Sequence, residues 1–392
     1  MENKVLKRMT LITNNTLRQV LVSFFGMVIP FLVIHFSSKE MWGSFVSVFL
    51  FSLLVLQIIN WGNKEYLLRE FSERPAKMAL TFSENLTTRL PIVVLFSIVA
   101  LFLFPLSFGF WITLWLIGRY WNYSTEALVL YQKEFNKSMF IETLSFMGFG
   151  ISFYCLKSAI DVYSLLVIYS MYQFLKGLLY FLLFRKYFSL QYATFKFGYF
   201  KASLSFFLLS VLGFLASKID VYIIESLGNK TVTADYQIIN SLLVFVMSVT
   251  AFIYSPFTKA IYRNNEDVIR KIQKALVFIG LFVVIISLVV IHFIIKFYLK
   301  TNAGLGFYVI AFLYVYPSYV YGLDIVNLFK QHKEKIVVRN LVVGVIFNTV
   351  LSLLFLSLSY GGFSQYGIHA ALLGSAIAQV VVLFLFKLFK PA

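Results

Sequence analysis

The chain has 392 residues, with 34 Lys and Arg against 17 Asp and Glu, a formal net charge of +17, and is 60% hydrophobic and only 13% charged. A soluble domain has about 25% charged and about 45–50% apolar residues, so composition excludes a soluble enzyme or a DNA-binding protein and points to an integral membrane protein. Apolar runs of about 20 residues fill the chain from end to end, the length of bilayer-crossing helices and not of the ten-residue alternating strands of an outer-membrane barrel.

Cutting at charge and turn clusters predicts an all-α, polytopic protein of about twelve transmembrane helices, at roughly 17–36, 41–60, 89–108, 110–131, 139–156, 162–184, 202–225, 233–257, 275–298, 304–329, 337–358 and 366–386. The first run is long enough to span and has no A-x-A site after it, so it reads as a retained helix. The longest cytoplasmic loop, 61–88, is half amphipathic through Tyr66, Leu67, Leu68 and Phe71, and no extramembrane domain is expected. Pro30, Pro105, Pro256 and Pro317 fall within spans, where proline bends a helix and frees backbone carbonyls. The basic loop from Arg185 to Lys201 separates two six-helix halves, 1–190 and 191–392.

With twelve spans both termini share a side, and that side holds 26 of the Lys and Arg residues in loops and helix ends, against five (Lys39, Lys157, Lys230, Lys296, Lys300) on the other. The positive-inside rule therefore makes both termini cytoplasmic, in a cytoplasmic (inner) membrane. The net charge is thus a topology signal whose partner is anionic membrane lipid, with no nucleic acid implied.

Ionisable groups well inside spans are the informative residues, because each costs about 2.5–3.5 kcal/mol at the bilayer centre and persists only against protein or water. Arg119 lies mid-way along the fourth span, with Tyr120, Trp121 and Tyr123 around it, and Glu126 follows two turns on, able to line the same groove without touching it. The sixth span has Lys176, the fifth Glu142 near its cytoplasmic start, and the tenth Asp324 toward its cytoplasmic end. In the seventh, Lys218 and Glu225 share a face while Asp220 points elsewhere. Arg119 and Lys218, with Lys176, are candidate ligands of an anionic headgroup in a shared central cavity, since guanidinium and ammonium donors hold phosphate. Tyr120 and Tyr123 are candidate stacking faces for sugar, and Glu126, Asp220, Glu142 and Asp324 are candidate cavity or coupling acids.

Several chemistries lack their residues. There is no G-x-x-x-x-G-K-[ST], no H-E-x-x-H and no G-x-S-x-G, and His35, His292, His332 and His369 are scattered without metal-ligand spacing. The one cysteine, Cys155, lies in an apolar run. No catalytic residue, metal or cofactor is expected.

Five short patterns in order resemble the polysaccharide-transporter branch of the multidrug/oligosaccharidyl-lipid/polysaccharide (MOP) exporter superfamily, the O-antigen-type flippases. They are Asn60-Trp-Gly62 followed by Arg69; Asp220-Val-Tyr-Ile-Ile with Gly228 and Ala234-Asp-Tyr236, where Ala234 stands in place of a family Gly; and Tyr254-Ser-Pro-Phe257 with Lys259. The other two are Asn348 in Ile346-Phe-Asn-Thr-Val350, and Gly361-Gly362 before Gly367-Ile-His-Ala-Ala-Leu-Leu-Gly374, where Ala370 and Leu372 replace a Gly and an Ala.

The resemblance implies a flippase, not an enzyme, that moves polyprenyl-diphosphate-linked oligosaccharide by alternating access in lipopolysaccharide O-antigen biosynthesis. A polysaccharide polymerase and other export components are implied as partners. The alternatives are a cation-coupled exporter of the same superfamily, which would need a carboxylate-dominated cavity, and a membrane-embedded polysaccharide-modifying enzyme, which would need catalytic His or paired acids on one pocket.

Overall fold

The computed structural model describes residues 2–156, 160–227, 229–254, 266–301, 303–331, 333–358 and 366–388. Lys157, Gly228, Pro256 with its aromatic ending and Lys259, Arg263, His332, Gly361-Gly362 and Lys390 lie outside the described residues.

Among the described residues all regular structure is helical. In chain order come α1 (Glu2–Phe36), α2 (Lys39–Asn60), α3 (Asn63–Glu73), α4 (Met78–Leu103), α5 (Leu106–Gln132), α6 (Phe135–Leu156), α7 (Val162–Phe184) and the short α8 (Gly198–Ala202). They are followed by α9 (Leu204–Ser226), α10 (Lys230–Tyr254), α11 (Glu266–Phe293), α12 (Leu305–Val315), α13 (Pro317–Lys330), α14 (Glu334–Leu358) and α15 (Tyr366–Leu388). Among the described residues eleven helical stretches are long and apolar enough to cross a bilayer, which makes this a multi-pass membrane protein. The sequence predicts twelve, and the predicted fourth span, α5, is the one outside that set. Its 27 residues have ample length, about 40 Å at 1.5 Å per residue, but Arg119, Asn122 and Glu126 lower its hydropathy.

The predicted loop 61–88 is mostly helix. Leu67 and Phe71 bury one face of α3, and Met78, Phe82 and Leu86 begin α4 about three turns ahead of the predicted third span. Arg89 and Pro91 therefore lie inside α4 and not at its mouth.

The chain divides into two compact units, Met1–Val211 and Leu212–Ala392. In the first, α2 ends at Trp61 and Gly62, both left-handed at φ 45° and 64°. A Cβ at Gly62 would strike Phe206 and the backbone of Phe207, so glycine answers both a backbone angle and a close approach. Trp61 stacks on Phe207 with ring centroids 3.8 Å apart. The Asn60-Trp61-Gly62 pattern is thus a helix stop locked by aromatic packing. Helices α5 and α7 meet backbone to backbone at Gly118 and Gly177, where any side chain would collide with the facing main chain.

In the second unit, α14 and α15 pack closely, Gly374 lying against Ser352 and Gly344 against Val382. Pro317 breaks the predicted tenth span into α12 and α13 at Tyr316, as a missing N–H requires. Tyr319 Oη holds the far side of that break by donating to Val246 O at 2.6 Å. Pro105, by contrast, caps the start of α5 between two helices, and Pro30 stays inside α1.

Candidate functional site

Arg119 stands at the midpoint of α5, half-buried. Its Nη2 donates to Tyr123 Oη at 2.5 Å, one turn on, and the guanidinium lies 4.5 Å from the Tyr123 ring centroid. Among the described residues no carboxylate pairs with it. One turn outward, Trp115 packs in a buried aromatic cluster with Phe45, Phe49 and Tyr169. Those rings cover one another, so they are packing and not an open face for sugar.

Two other inward cations of this unit, Arg18 and Lys176, are paired with acids. Arg18 of α1, almost wholly buried, grips Glu126 with both ends of its guanidinium, at 2.6 and 3.0 Å. Glu126 therefore belongs to Arg18, where the sequence places it beside Arg119 in a groove. Arg18 Nη1 also reaches Ser138 Oγ at 3.4 Å, Ser138 Oγ lies 2.5 Å from Tyr180 Oη, and Tyr180 donates to Glu142 Oε1 at 3.1 Å. Lys176 closes the chain on Glu142 Oε2 at 3.2 Å, with its ammonium 5.0 Å from the Tyr172 ring centroid. Four helices, α1, α5, α6 and α7, are tied by one network of two ion pairs and a shared hydroxyl link. Its two acids offset its two cations, so neither acid is left to pair with Arg119, which stands outside the network.

Sequence reasoning missed two arginines. Arg18, the second residue of the predicted first span, is counted there as a cytoplasmic end charge, yet α1 runs on to Glu2 and Arg18 lies inside it, against Glu126. Arg89 reads as the cationic mouth of the third span but is fully buried, donating to Asn85 Oδ1, Ser124 Oγ at 2.7 Å and Ile59 O at 3.1 Å, with the Tyr120 ring centroid 5.2 Å away. Tyr120 itself donates to Leu86 O. Tyr120 thus joins Arg89 in pinning α2, α4 and α5, and only Tyr123 of the two predicted tyrosines touches Arg119.

In the second unit, Lys218 donates to Asn240 Oδ1 at 2.6 Å and to Ser241 Oγ at 3.3 Å. Asn240 Nδ2 in turn reaches Asp220 Oδ2 at 3.5 Å and Ser217 O at 3.0 Å. Lys218 and Asp220 are thus linked through one amide, although they sit two residues apart on α9 and point differently. The predicted face-sharing partner, Glu225, pairs instead with Lys230 at 3.4 Å beyond the end of α9.

Asp220 is fully buried and accepts from Tyr236 Oη and from Ser375 Oγ at 2.8 Å. Ser375 and Ser352 also lie 3.0 Å from Asn348 Oδ1, and Asn348 Nδ2 donates to Ala216 O. This brings the predicted Asp220 and Asn348 patterns together with Ser375, the residue after Gly374 in the last helix. One carboxylate among hydroxyl and amide oxygens suits a proton or a hard monovalent cation and lacks the nitrogen or sulfur donors of a transition-metal site. Among the described residues no three His, Cys, Asp or Glu converge. Asp324, in α13, accepts from Gln273 Nε2 at 3.1 Å, away from this group.

The Lys176–Glu142 pair makes a stability forecast. Lys176→Met strands a buried carboxylate and should cost about 3–5 kcal/mol, whereas Lys176→Met with Glu142→Gln should recover most of it. Thermal unfolding of the purified protein in detergent checks this, and a double variant no more stable than the single would contradict the pairing.

No protein-family model and no curated protein sequence matches the chain. Solved structures do. The eukaryotic MATE transporter AtDTX14 aligns over 98% of this chain and 96% of its own at TM-score 0.63 and 12% identity. The lipid II flippase MurJ, in its inward closed conformation, aligns over 97% of this chain and 87% of its own at TM-score 0.64 and 15% identity. A MOP-superfamily transporter from Pyrococcus furiosus, described as having a binding pocket of reverse polarity, aligns over 96% and 95% at TM-score 0.53 and 12% identity. The chain has the fold of the MOP-superfamily transporters.

Proposed function

We propose that the protein is a flippase that carries a polyprenyl-diphosphate-linked oligosaccharide from the cytoplasmic to the outer leaflet by alternating access between two halves. Arg119 and Lys218 neutralise the diphosphate, and Asp220 is the coupling acid. The observation that supports this most is the half-buried Arg119: it occupies the middle of α5, the predicted span outside the eleven most apolar ones, and among the described residues its side chain bonds to Tyr123, while Arg18 and Lys176 are taken up by Glu126 and Glu142 and Arg89 is sealed among neutral acceptors. A neighbour in fold that is itself a lipid II flippase supports a lipid-linked cargo. The O-antigen pathway, with its polymerase and other export components as partners, is the finer reading that the sequence patterns favour.

In proteoliposomes, flipping of a polyprenyl-diphosphate oligosaccharide should greatly exceed that of a neutral polyprenyl glycoside. Equal rates for both would remove the diphosphate from the reading. The second reading, a cation-coupled exporter, draws on the MATE neighbours. Cargo charge separates the two, because the Arg119 guanidinium repels cationic drugs, and faster export of a cationic dye than of the lipid diphosphate would favour the exporter.

Both termini are assigned to the cytoplasm. Cysteine labelling at Lys230, the first residue of α10, should succeed from outside intact cells, and labelling only after permeabilisation would reverse the topology.

A further inference from the structure

We propose that residues 185–201, between α7 and α9, form a membrane-surface clamp that selects anionic lipid headgroups, whatever the cargo of the transporter. The chain has no Asp or Glu from Val162 to Ile219, so every charge in this segment is basic, and seven of its 17 residues are Phe or Tyr. One side of it is fastened. Ser83 Oγ accepts from Ser189 N at 2.9 Å, Thr88 Oγ1 accepts from Lys196 N at 2.9 Å, and Lys196 Nζ pairs with Glu84 at 2.6 Å. Tyr199 Oη donates to Trp61 O, and Trp61 Nε1 to Phe200 O. The backbone is thereby held to α4 and to the turn between α2 and α3.

The other side is bare. Leu190 is 82% exposed, Phe197 76% and Phe195 54%, and Arg185, Lys186 and Lys201 are exposed beside them. Because hydrogen bonds fix the backbone on both flanks, these apolar side chains cannot fold inward to escape water.

Two independent rulers set the height of the segment. Helix α7 ends where it begins, after 23 residues, or about 34 Å of rise against a hydrocarbon core of about 30 Å. On α4, its anchor Glu84 lies 19 residues before Leu103, about 29 Å along the helix. Both place it at the headgroup boundary. Apolar side chains with a basic rim are suited to that boundary, where rings reach the acyl chains and cations the phosphates. A lipid-facing helix would lack the cations, and a water-facing loop would lack the exposed phenylalanines.

The test uses the full chain in nanodiscs, in a Cys155→Ser background, with bimane attached at Phe195→Cys or Phe197→Cys and at Glu73→Cys as a water-facing reference. Nitroxide-labelled lipid should quench the first two sites and iodide should quench mainly Glu73→Cys. Headgroup-labelled phosphatidylglycerol should quench several-fold more than headgroup-labelled phosphatidylcholine, since each basic residue near an anionic surface adds roughly a fivefold preference. In Arg185→Gln/Lys186→Gln/Lys201→Gln the preference should fall to near unity, while Lys186→Arg/Lys201→Arg should keep it. Iodide quenching equal to the reference would place the segment in water, and protection from both quenchers would mean that protein covers it. Equal quenching by the two lipids would remove the charge selection. Each of these three outcomes overturns the proposal.

Discussion

Replacing Arg119 with alanine is expected to cut export of lipid-linked oligosaccharide on the order of 100-fold or more while leaving the protein inserted and abundant, as charge-assisted bonds to a diphosphate contribute about 1.5–3 kcal/mol each. The retention of protein follows from what the side chain touches. Arg119 donates to Tyr123 Oη, so its loss strands one solvable hydroxyl and no carboxylate. Arg18→Ala is the contrasting variant. It leaves Glu126 without its two-point partner and loosens the Ser138–Tyr180 link to Glu142, so about 3–5 kcal/mol of stability and much of the protein should be lost. Arg119→Lys keeps the charge without the planar fork and should retain part of the export. Surface polysaccharide measured against immunoblotted protein separates these results. Normal export by Arg119→Ala, or protein loss as deep as that of Arg18→Ala, would make Arg119 a structural ion.

That contrast was only half legible in the sequence. A mid-helix arginine stands out in any hydropathy reading, because nothing else in α5 explains the cost of inserting it. Its isolation does not stand out, since isolation depends on which acid each neighbouring cation has already taken. Arg18 and Arg89 hid for a related reason. A span is cut from the sequence where charges cluster, but α1 begins about four turns and α4 about three turns ahead of the predicted spans, so charges counted at helix ends lie inside helices. Tyr120 misled by proximity: one residue from Arg119 on a helix is about 100° around it, and the ring faces Arg89 instead.

In the second unit the reverse held. The Asp220-Val-Tyr, Asn348 and Gly374 patterns lie up to about 150 residues apart, yet Ser375 Oγ touches both Asp220 and Asn348. Local spacing could not show that link, and the order of the patterns along the chain was the only trace of it.

The link between Lys218 and Asp220 yields the second large effect. Lys218→Met and Asp220→Asn should each lose most transport, and the double variant should stay as inactive as either single. Asn240 stands between the two groups, so a simple reading would treat them as a compensated structural pair, in which removing both charges restores what removing one destroys. The geometry argues otherwise. Lys218 donates to two neutral oxygens and is half-buried, leaving it open to an anionic cargo. Asp220 is fully buried and already satisfied by Tyr236 and Ser375, so it needs no lysine to persist. The Asp220→Asn variant keeps an acceptor for both hydroxyls but cannot change protonation or hold a cation, so it should fold and be unable to couple. Proteoliposome flipping, read beside thermal unfolding, decides the matter. Inactive, stable singles with an inactive double assign the two residues separate tasks in one cycle, whereas a double variant that regains transport would make them a structural unit and move the cargo site elsewhere.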